Sequence, residues 1–411
     1  MKYGLIGEKL GHSFSKEIHN KLFDYGYELK EIPKSEFNSF LTEKDFKAIN
    51  VTIPYKEKII PYLDYISDTA KEIGAVNTVV NKNGKLHGFN TDFLGLKALI
   101  EKSGISLKGK KVLILGSGGT SKTAFAVAKS LNASEIYKVS RKKADGLLTY
   151  DEAMLKHIDA QVIINTTPCG MYPNIDDCAL NISCFKNLIG VVDVIYNPLR
   201  SKLVCDALNM GITAVGGLYM LVAQAVFAAE KFIDTKVDIS KIDSIFEDLY
   251  KTKQNIVLVG MPGCGKTTVG KLLAEKLGFE FLDTDYEIVE KHGEITDIFA
   301  NKGEKIFRDY ESSVIKEVSA LQGKVIATGG GAVLRQENIN LLKRNGKIYF
   351  LDRPLNKICA TSDRPLSSNQ EDLEKRFNER YDIYCSFADC HILDKGTAED
   401  NANTILEDIL K

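Results

Sequence analysis

The sequence predicts an α/β protein with largely parallel sheets and more than one domain. Short apolar runs rich in β-branched residues alternate with helix-like segments along the chain, which is typical of this fold class. Two of these runs, residues 110–115 and 255–259, each lead directly into a glycine turn. The length of 411 residues suggests two to three domains at roughly 150 residues each. Two separate strand-to-glycine turns therefore indicate two nucleotide-binding domains.

The composition excludes several classes of function. The 54 basic and 55 acidic side chains leave a net charge of −1, so the charge balance gives no reason to expect a nucleic-acid partner. No pair among the eight cysteines has CxxC spacing, and the six histidines show no metal-ligand spacing. Residues 2–6 resemble a strand and not a signal peptide, and the longest apolar stretch, residues 215–229, is too short to span a bilayer. We therefore expect a cytoplasmic protein with no membrane partner, whose oligomeric state the sequence does not indicate.

The first hundred residues form the first predicted unit, with strands expected at residues 2–6, 28–32 and 48–51. The Asn83-Gly84 pair between two apolar runs predicts a hairpin turn. Residues 13–20 predict the start of a helix, and its serines are equally well explained as helix caps.

The first glycine turn, residues 116–122, is a loose relative of the GxGxxG pattern, because Ser121 holds the third glycine position. The preceding strand and a predicted helix at residues 123–131 make a dinucleotide site plausible. The next predicted strand, residues 135–139, ends in Ser140 and Arg141 where an NAD site usually has an acidic residue. A hydroxyl followed by cations suits a 2′-phosphate, so we interpret residues 101–216 as a Rossmann-like NADP domain; a solvated basic turn is the alternative. The candidate cofactor-binding residues in this region are Gly116, Gly118, Gly119, Thr120, Ser121, Ser140 and Arg141.

The second glycine turn, residues 260–267, matches the GxxxxGK[ST] pattern fully. It follows an apolar strand and precedes a predicted helix at residues 269–277. Backbone N–H groups in such a loop cradle phosphates, the lysine reaches the terminal phosphates, and the hydroxyl binds Mg²⁺. The sequence therefore predicts a P-loop NTPase fold that binds ATP. The candidate ATP-binding residues are Gly263, Cys264, Gly265, Lys266, Thr267 and Thr268.

Further motifs follow this loop. Asp283 and Asp285 are expected at the end of the next strand, on the same side because they are two residues apart. The later motifs lie at residues 303–308, 327–333, 363–366 and 379–381. Each alone is weak, but their order and spacing resemble shikimate kinase across residues 254–411.

The resemblance to shikimate kinase implies a role for each matching residue. Lys266 would reach the β- and γ-phosphates, while Thr267 and, through water, Asp283 would hold Mg²⁺. Asp285 would contact the attacking ring hydroxyl, and Arg364, in a short lid, would contact the transferring phosphates. The residues implied to bind shikimate are Asp285, Arg308, Gly330, Gly331 and Arg380. The lid lacks the basic residue that is usual near Ala360.

A second set of motifs lies before residue 250, at residues 13–20, 50–56, 74–78, 88–92, 165–168, 193–198 and 217–224. In this order they resemble shikimate dehydrogenase. The resemblance implies that Lys56 and Asp92 form the catalytic pair, since ketone reduction needs a proton donor beside the developing alkoxide. An ordinary salt bridge would otherwise explain such a pair. The implied substrate-binding residues are Ser13, Ser15, Thr52, Asn77, Tyr196 and Gln224, and further NADP-binding residues are Thr166 and Met220.

The residues themselves predict a dinucleotide oxidoreductase fused to a P-loop phosphotransferase, and the two resemblances imply a bifunctional enzyme of the shikimate pathway, with no metal other than Mg²⁺. Residues 1–100, completed by helices from about residue 217 to 250, would form the α/β substrate domain, and residues 254–411 the kinase domain. The enzyme would reduce 3-dehydroshikimate with NADPH and phosphorylate shikimate with MgATP. Two alternatives remain: an NAD-preferring quinate/shikimate dehydrogenase fused to a small-polyol kinase, and a nucleotide-sensing regulator.

Overall fold

The computed structural model describes residues 1–11, 13–358 and 370–410. The chain divides into two compact units, Met1–Asp248 and Leu249–Lys411. The strands of the first unit are β1 (Tyr3–Gly7), β2 (Tyr27–Glu31), β3 (Ala48–Val51), β4 (Tyr65–Ile66), β5 (Thr78–Lys82), β6 (Lys85–Phe89), β7 (Lys111–Leu115), β8 (Glu135–Val139), β9 (Leu147–Leu148), β10 (Val162–Asn165), β11 (Gly190–Asp193) and β12 (Thr213–Val215). Its helices are α1 (Ser15–Leu22), α2 (Phe37–Glu43), α3 (Asp68–Ile73), α4 (Thr91–Ser103), α5 (Gly119–Ser130), α6 (Tyr150–Lys156), α7 (Lys202–Asn209) and α8 (Leu218–Ile233).

Helix α9 (Ser240–Lys253) contains the division between the two units, and a single residue separates its end from the first strand of the second unit. The strands of the second unit are β13 (Asn255–Val259), β14 (Glu280–Asp283), β15 (Lys324–Ala327), β16 (Gly346–Asp352) and β17 (Cys390–Leu393). Its helices are α10 (Lys266–Leu277), α11 (Thr284–His292), α12 (Ile295–Ser319), α13 (Gln336–Asn345), α14 (Gln370–Phe387) and α15 (Ala398–Leu410).

The first sheet has the strand order β2-β1-β3-β5-β6-β4 and is mixed. Strands β1, β2 and β3 are parallel, whereas β5 pairs antiparallel with both β3 and β6. The predicted hairpin turn joins β5 to β6, with Asn83 and Gly84 at φ values of 54° and 84°. Two consecutive positive φ angles are the geometry of a type I′ turn, for which Asn-Gly is the favoured pair. The predicted hairpin is therefore confirmed, and its tight turn makes β5 and β6 run in opposite directions within a largely parallel fold.

The second sheet, β12-β11-β10-β7-β8-β9, is parallel throughout. Its central strands are almost entirely buried, as expected for a sheet covered by helices on both faces. The strand order changes direction at β7: strands β8 and β9 lie on one side of it, and the later strands β10, β11 and β12 lie on the other. Strand β7 leads into the first glycine turn. In open parallel sheets, ligands bind beyond the carboxyl ends of the strands at such a point.

The third sheet, β14-β15-β13-β16-β17, is also parallel. Its central strand β13 leads into the second glycine turn, which ends at the N-terminus of α10. Helix α12 is interrupted at Gly303, whose φ of 80° is outside the helical range. This break separates the first part of α12 from the part that carries Arg308.

One predicted local arrangement is wrong. Strand β14 ends at Asp283 and α11 begins at Thr284, so Asp285 lies in the first turn of a helix and not on a strand. The carboxylate of Asp283 accepts a hydrogen bond from the Asp285 backbone N–H at 3.1 Å. An aspartate in this position satisfies a free N–H of the helix, and that capping ends the strand two residues earlier than predicted.

The apolar stretch at residues 215–229 mostly forms helix α8, whose side chains pack inside the first unit. Among the described residues, no helix is both long enough and apolar enough to cross a membrane.

Candidate active sites

A cavity of about 700 Å³ lies in the first unit, at the carboxyl ends of strands from its two sheets. It brings together most of the residues that the sequence singled out for substrate and nicotinamide binding. Those lining it are Ser13, Ser15, Thr52, Lys56, Asn77, Asp92, Thr120, Tyr196, Met220 and Gln224.

Lys56 and Asp92 face each other in this cavity, with Lys56 Nζ 2.6 Å from Asp92 Oδ2. Asp92 lies in the first turn of α4, whose N-cap residue Asn90 accepts a hydrogen bond from the Phe93 backbone N–H. A helix N-terminus interacts favourably with a nearby carboxylate, which adds to the attraction between Asp92 and Lys56. Their side chains are only 16% and 9% exposed. The pair can therefore present a proton at Lys56 Nζ to an oxygen bound in this cavity.

Two amides, those of Asn77 and Gln224, also line the cavity. Asn77 Nδ2 donates to Thr91 Oγ1 at 3.0 Å and to Gln224 Oε1 at 3.4 Å. Gln224 reaches this position because α4 and α8 pack closely at Gly95, where an added Cβ would lie 2.7 Å from the Met220 carbonyl oxygen. The amides offer both donors and acceptors, which suits the hydroxyl groups of a small polyol.

The serines predicted to contact substrate adjoin the start of α1. Ser13 Oγ donates to Ser15 Oγ at 3.1 Å and accepts from the Ser15 backbone N–H at 3.3 Å. The N-cap position of α1 belongs to Phe14, which forms no side-chain cap. Both serines line the cavity, so their hydroxyls are available to a ligand there.

The first glycine turn follows β7, at the carboxyl ends of the strands of the second sheet. Gly116 has a φ of 118°, a conformation that side chains rarely adopt, and α5 begins with Gly118 at its N-cap. An added Cβ at Gly118 would meet none of the described atoms within 4 Å. Free backbone N–H groups at an open helix N-terminus suit a pyrophosphate.

The remaining NADP candidates are not equally exposed to a ligand. Ser121 is buried and donates to the Gly118 carbonyl oxygen at 2.7 Å, and Thr166 donates to the Leu115 carbonyl oxygen at 2.6 Å. These two hydroxyls therefore stabilise the backbone of the glycine turn through hydrogen bonds to its carbonyl oxygens. Ser140 and Arg141 follow β8, and the Arg141 side chain is exposed. It is therefore accessible to a phosphate at this edge of the sheet.

Asp193, at the end of β11, is a buried carboxylate that belongs to one of the sequence motifs but was given no role there. It accepts hydrogen bonds from Asn165 Nδ2 at 3.0 Å, from the Ile195 N–H at 3.0 Å and from Ser201 Oγ at 2.5 Å. Burial raises the pKa of Asp193 to about 6, against these hydrogen bonds, which lower it. The network orders the loop that carries Tyr196 into the cavity.

The second cavity, of about 430 Å³, lies in the second unit at the carboxyl edge of the third sheet. The predicted residues that line it are Gly263, Gly265, Lys266, Thr267, Thr268, Asp283, Asp285, Arg308, Gly330, Gly331 and Arg380. Cys264 is buried behind the loop. Arg364 and Ala360 lie outside the described residues.

The P-loop end of this cavity has a geometry that fits a nucleotide and a hard cation. Lys266 Nζ donates to the carbonyl oxygens of Gly260 and Met261 at 2.9 and 3.0 Å. Thr267 Oγ1 donates to Asp283 Oδ2 at 2.8 Å, so a hydroxyl and a carboxylate face each other where the loop meets α10. Mg²⁺ prefers such oxygen ligands and keeps water in its other positions.

The other end of this cavity holds buried charges. Arg308 donates to Glu311 at 2.8 Å and to Glu304 at 3.1 Å, and Arg380 is 3% exposed. Arg308 lies against the glycine loop, because an added Cβ at Gly331 would be 2.3 Å from its guanidinium. Two buried guanidinium groups suit the carboxylate of a substrate, since each can bind it with two hydrogen bonds.

Two charged residues that line this cavity were missed by the sequence analysis, Glu311 and Arg353. Burial raises the pKa of Glu311 to about 7, although Arg308 opposes this shift. Glu311 follows Arg308 by three residues on one helix, and that spacing was visible in the sequence as an ion pair. Arg353 directly follows β16, at the sheet edge where parallel strands collect functional residues.

Both units are similar to known proteins. Residues 5–79 match the family model described as shikimate dehydrogenase substrate binding domain, and residues 262–410 match shikimate kinase. A shikimate dehydrogenase (NADP(+)) of Clostridium perfringens is 40% identical over 267 residues, which cover 60% of this chain and 97% of the relative.

Solved structures are similar to the same part of the chain. Shikimate dehydrogenase 1 from Peptoclostridium difficile has a TM-score of 0.57 and 38% identity, covering 61% of this chain and 98% of that one. Shikimate 5-dehydrogenase from Thermus thermophilus, in complex with NADP(H) and shikimate, has a TM-score of 0.54 and 26% identity, covering 60% and 99%. The chain therefore belongs to the shikimate dehydrogenase family and carries in addition a shikimate kinase domain at residues 262–410, which makes it a bifunctional oxidoreductase and kinase.

Proposed function

We propose that the first unit reduces 3-dehydroshikimate to shikimate with NADPH, and that the second unit phosphorylates shikimate with MgATP to shikimate 3-phosphate. The observation that carries the proposal is the 2.6 Å ion pair of Lys56 and Asp92 inside a cavity that also presents the Asn77 and Gln224 amides. It places a proton donor beside groups that suit a hydroxylated ring.

In the reduction, Lys56 Nζ would donate a proton to the carbonyl oxygen, and Asp92 would hold the ammonium group in position. Asn77 and Gln224 would bind ring hydroxyls, while Ser13, Ser15 and Thr52 would bind the substrate carboxylate and its neighbouring hydroxyl. NADPH, when bound, supplies the hydride to the carbonyl carbon. The open N-terminus of α5 and the exposed Arg141 fit its phosphates, and Met220 lines the cavity where the nicotinamide would lie.

In the phosphorylation, Arg308 and Arg380 would bind the shikimate carboxylate, and the backbone of Gly330 and Gly331 would contact its ring. Asp285 would accept the proton of the attacking hydroxyl as its oxygen bonds to the γ-phosphorus. The bond to the bridging oxygen breaks, and its electron pair leaves with ADP. Lys266 would neutralise charge on the phosphates, with Thr267 and Asp283 placed to hold the Mg²⁺.

A coupled assay of the full chain tests both reactions. With 3-dehydroshikimate, NADPH and MgATP, NADPH loss should be followed by ADP formation, and omission of 3-dehydroshikimate should abolish both. Shikimate alone with MgATP should give ADP without any change in NADPH. A higher rate with NADH than with NADPH, or phosphorylation of another polyol in preference to shikimate, would contradict the proposal and favour the quinate-type alternative.

A further inference from the structure

Arg353 is a cation of the kinase cavity to which the proposed reaction assigns no role. It is half-buried and lines the cavity together with Pro262, Gly263 and Lys266. Among the described residues, four cationic side chains line this cavity, namely Lys266, Arg308, Arg353 and Arg380.

The other three cations already have partners or a proposed role. Lys266 donates to two loop carbonyls, and Arg308 donates to Glu311 and Glu304. Arg380 is deeply buried and has a proposed role at the substrate carboxylate, although its Nε also lacks a partner among the described residues. Arg353 has no proposed role; it forms no hydrogen bond or ion pair with any other described residue, and its Nε is buried without a partner. A buried guanidinium N–H that lacks a partner is costly unless a ligand completes it.

The position of Arg353 relative to the P-loop follows from strand register. Strand β16 pairs with β13 up to Val259 opposite Phe350. Beyond that point the segments that follow β13 and β16 stay close, since an added Cβ at Gly260 would lie 2.8 Å from the Leu351 carbonyl oxygen. Arg353, two residues after Leu351, therefore lies beside the first residues of the P-loop.

The backbone before Arg353 is held firmly. The Asp352 carboxylate accepts a hydrogen bond from Tyr381 at 3.0 Å and is 2.7 Å from His391 Nε2. The Asp352 carbonyl oxygen accepts the Asp394 N–H at 3.1 Å. Pro354 follows, and a proline restricts the backbone of the residue before it. Arg353 thus projects from a fixed sheet edge.

We propose that Arg353 contacts the γ-phosphoryl group of the bound nucleotide and stabilises its charge during transfer. This inference rests on the proposed phosphorylation by the second unit. The planar guanidinium can bind two phosphate oxygens at once, and charge spreads over those oxygens in the transition state. Arg353 is then a further catalytic residue, supplied by the sheet itself.

The first test is nucleotide binding by the full chain, measured calorimetrically with MgADP and with the magnesium complex of a non-hydrolysable β,γ-imido ATP analogue. Arg353→Ala should weaken binding of the triphosphate analogue on the order of 10- to 100-fold, as expected for a lost charged hydrogen bond, and change MgADP affinity less than about twofold. Arg353→Lys should bind the triphosphate analogue with an affinity between those of the wild type and Arg353→Ala, because lysine keeps the charge but not the planar geometry.

The matched control is Lys357→Ala, which removes a positive charge four residues away on an exposed side chain paired with Asp394. It should leave both affinities unchanged. Equal weakening of both nucleotides by Arg353→Ala, or a rise only in the KM for shikimate, would overturn the assignment. Thermal unfolding of each variant separates a folding defect from a binding defect, and a misfolded alanine variant leaves Arg353→Lys to decide.

Kinetics complete the test. The kcat of phosphorylation should fall by about 10²-fold in Arg353→Ala, while reduction of 3-dehydroshikimate stays at the wild-type rate. A wild-type chain that does not phosphorylate shikimate would contradict the proposed function. A wild-type chain that does so, with an unaffected Arg353→Ala variant, would contradict only the role of Arg353.

Discussion

The two cavities of this chain differ most in their charge. Among the 25 residues lining the dehydrogenase cavity, four carry charge, namely Glu8, Lys9, Lys56 and Asp92. The smaller kinase cavity has seven charged side chains among 19 lining residues, namely Lys266, Asp283, Asp285, Arg308, Glu311, Arg353 and Arg380. Reduction of a ketone develops one negative charge at one oxygen, whereas phosphoryl transfer handles several charged oxygens at once. The charge in each cavity therefore matches the charge that its proposed reaction must stabilise.

The difference extends to how each charge is balanced. Asp92 neutralises Lys56 directly and is itself stabilised by a helix N-terminus. In the kinase cavity, Arg308 is shared between the exposed Glu304 and the buried Glu311, whose pKa burial raises to about 7. The kinase site therefore contains a group that changes charge near neutral pH.

The largest effect is expected from removing the ion pair of the dehydrogenase cavity, Lys56 with Asp92. Lys56→Ala should lower the rate of 3-dehydroshikimate reduction on the order of 10²–10³-fold, because the developing alkoxide loses its proton donor. Phosphorylation of shikimate should stay near the wild-type rate, since Lys56 belongs to the other unit. Steady-state assays of both reactions on one preparation measure this, with Lys58→Ala, an exposed neighbour, as the control. Equal loss of both activities in a folded variant would contradict two independent sites.

The next effect concerns cofactor charge at the dehydrogenase. Arg141→Ala should raise the KM for NADPH by roughly 10- to 100-fold and leave that for NADH nearly unchanged, since the side chain would bind only the 2′-phosphate. Lys143→Ala is the matched control, because that lysine already pairs with Glu152 at 2.6 Å. Kinetics with both cofactors measure the ratio. Equal changes for NADPH and NADH would show that Arg141 belongs to a solvated turn.

A smaller effect is expected from Glu311, the buried carboxyl group of the kinase cavity, on how the stability of the second unit depends on pH. The pKa of Glu311 is raised from 4.5 to about 7, so the folded kinase unit binds this proton more tightly than the unfolded chain. Its stabilising contribution is complete below about pH 4.5 and is lost as pH rises through about 7. Glu311→Gln cannot ionise, so it should flatten this decline even though the variant is less stable overall.

Thermal inactivation of the kinase activity, measured between pH 5 and pH 8, would test the Glu311 effect. This range spans the raised Glu311 pKa of about 7. Glu304→Gln removes the exposed carboxylate that pairs with the same arginine and should keep the wild-type slope. A wild-type slope in Glu311→Gln would show that another group titrates.

The smallest expected effect concerns contact between the two sheets of the first unit. Lys122 on α5 pairs with Glu57, the neighbour of Lys56, at 2.8 Å, with both side chains partly exposed. Pairs of this kind contribute about 0.2–1 kcal/mol, so Lys122→Ala or Glu57→Gln should change kcat/KM for reduction by less than about fivefold. Exchanging the two charges should restore the wild-type value. A double-mutant cycle measures the coupling, and additive losses would show that the pair does not position Lys56.

Much of the fold could be predicted because its signals are local. The predicted strands at residues 48–51, 135–139 and 255–259 coincide with β3, β8 and β13, since short runs rich in β-branched and aromatic residues between turns favour extended backbone. The α/β fold class and both family resemblances are confirmed. The position of Asp285 was mispredicted because two local preferences compete there, strand alternation and helix capping, and spacing alone does not rank them.

The candidate sites could be predicted only in part. Motif residues were identified one segment at a time, and the roles assigned to them stay predictions. Glu311 was missed because a charged residue three positions after an arginine on a helix is usually solvated; its burial results from the glycine loop that packs over it. Arg353 was missed because no motif marks it, and its importance depends on which strand lies beside the P-loop.

The sequence by itself determined the two glycine turns, the strands that enter them and the residue types available for each reaction, because these depend on neighbours within a few positions. Only the tertiary structure decided which distant residues meet. Asn77 and Gln224 are 147 positions apart and share a hydrogen bond because Gly95 allows two helices to pack closely. Arg353 lines the same cavity as the P-loop because β16 pairs with β13. Such contacts arise from burying whole faces of helices and sheets together, and no short stretch of sequence encodes that packing.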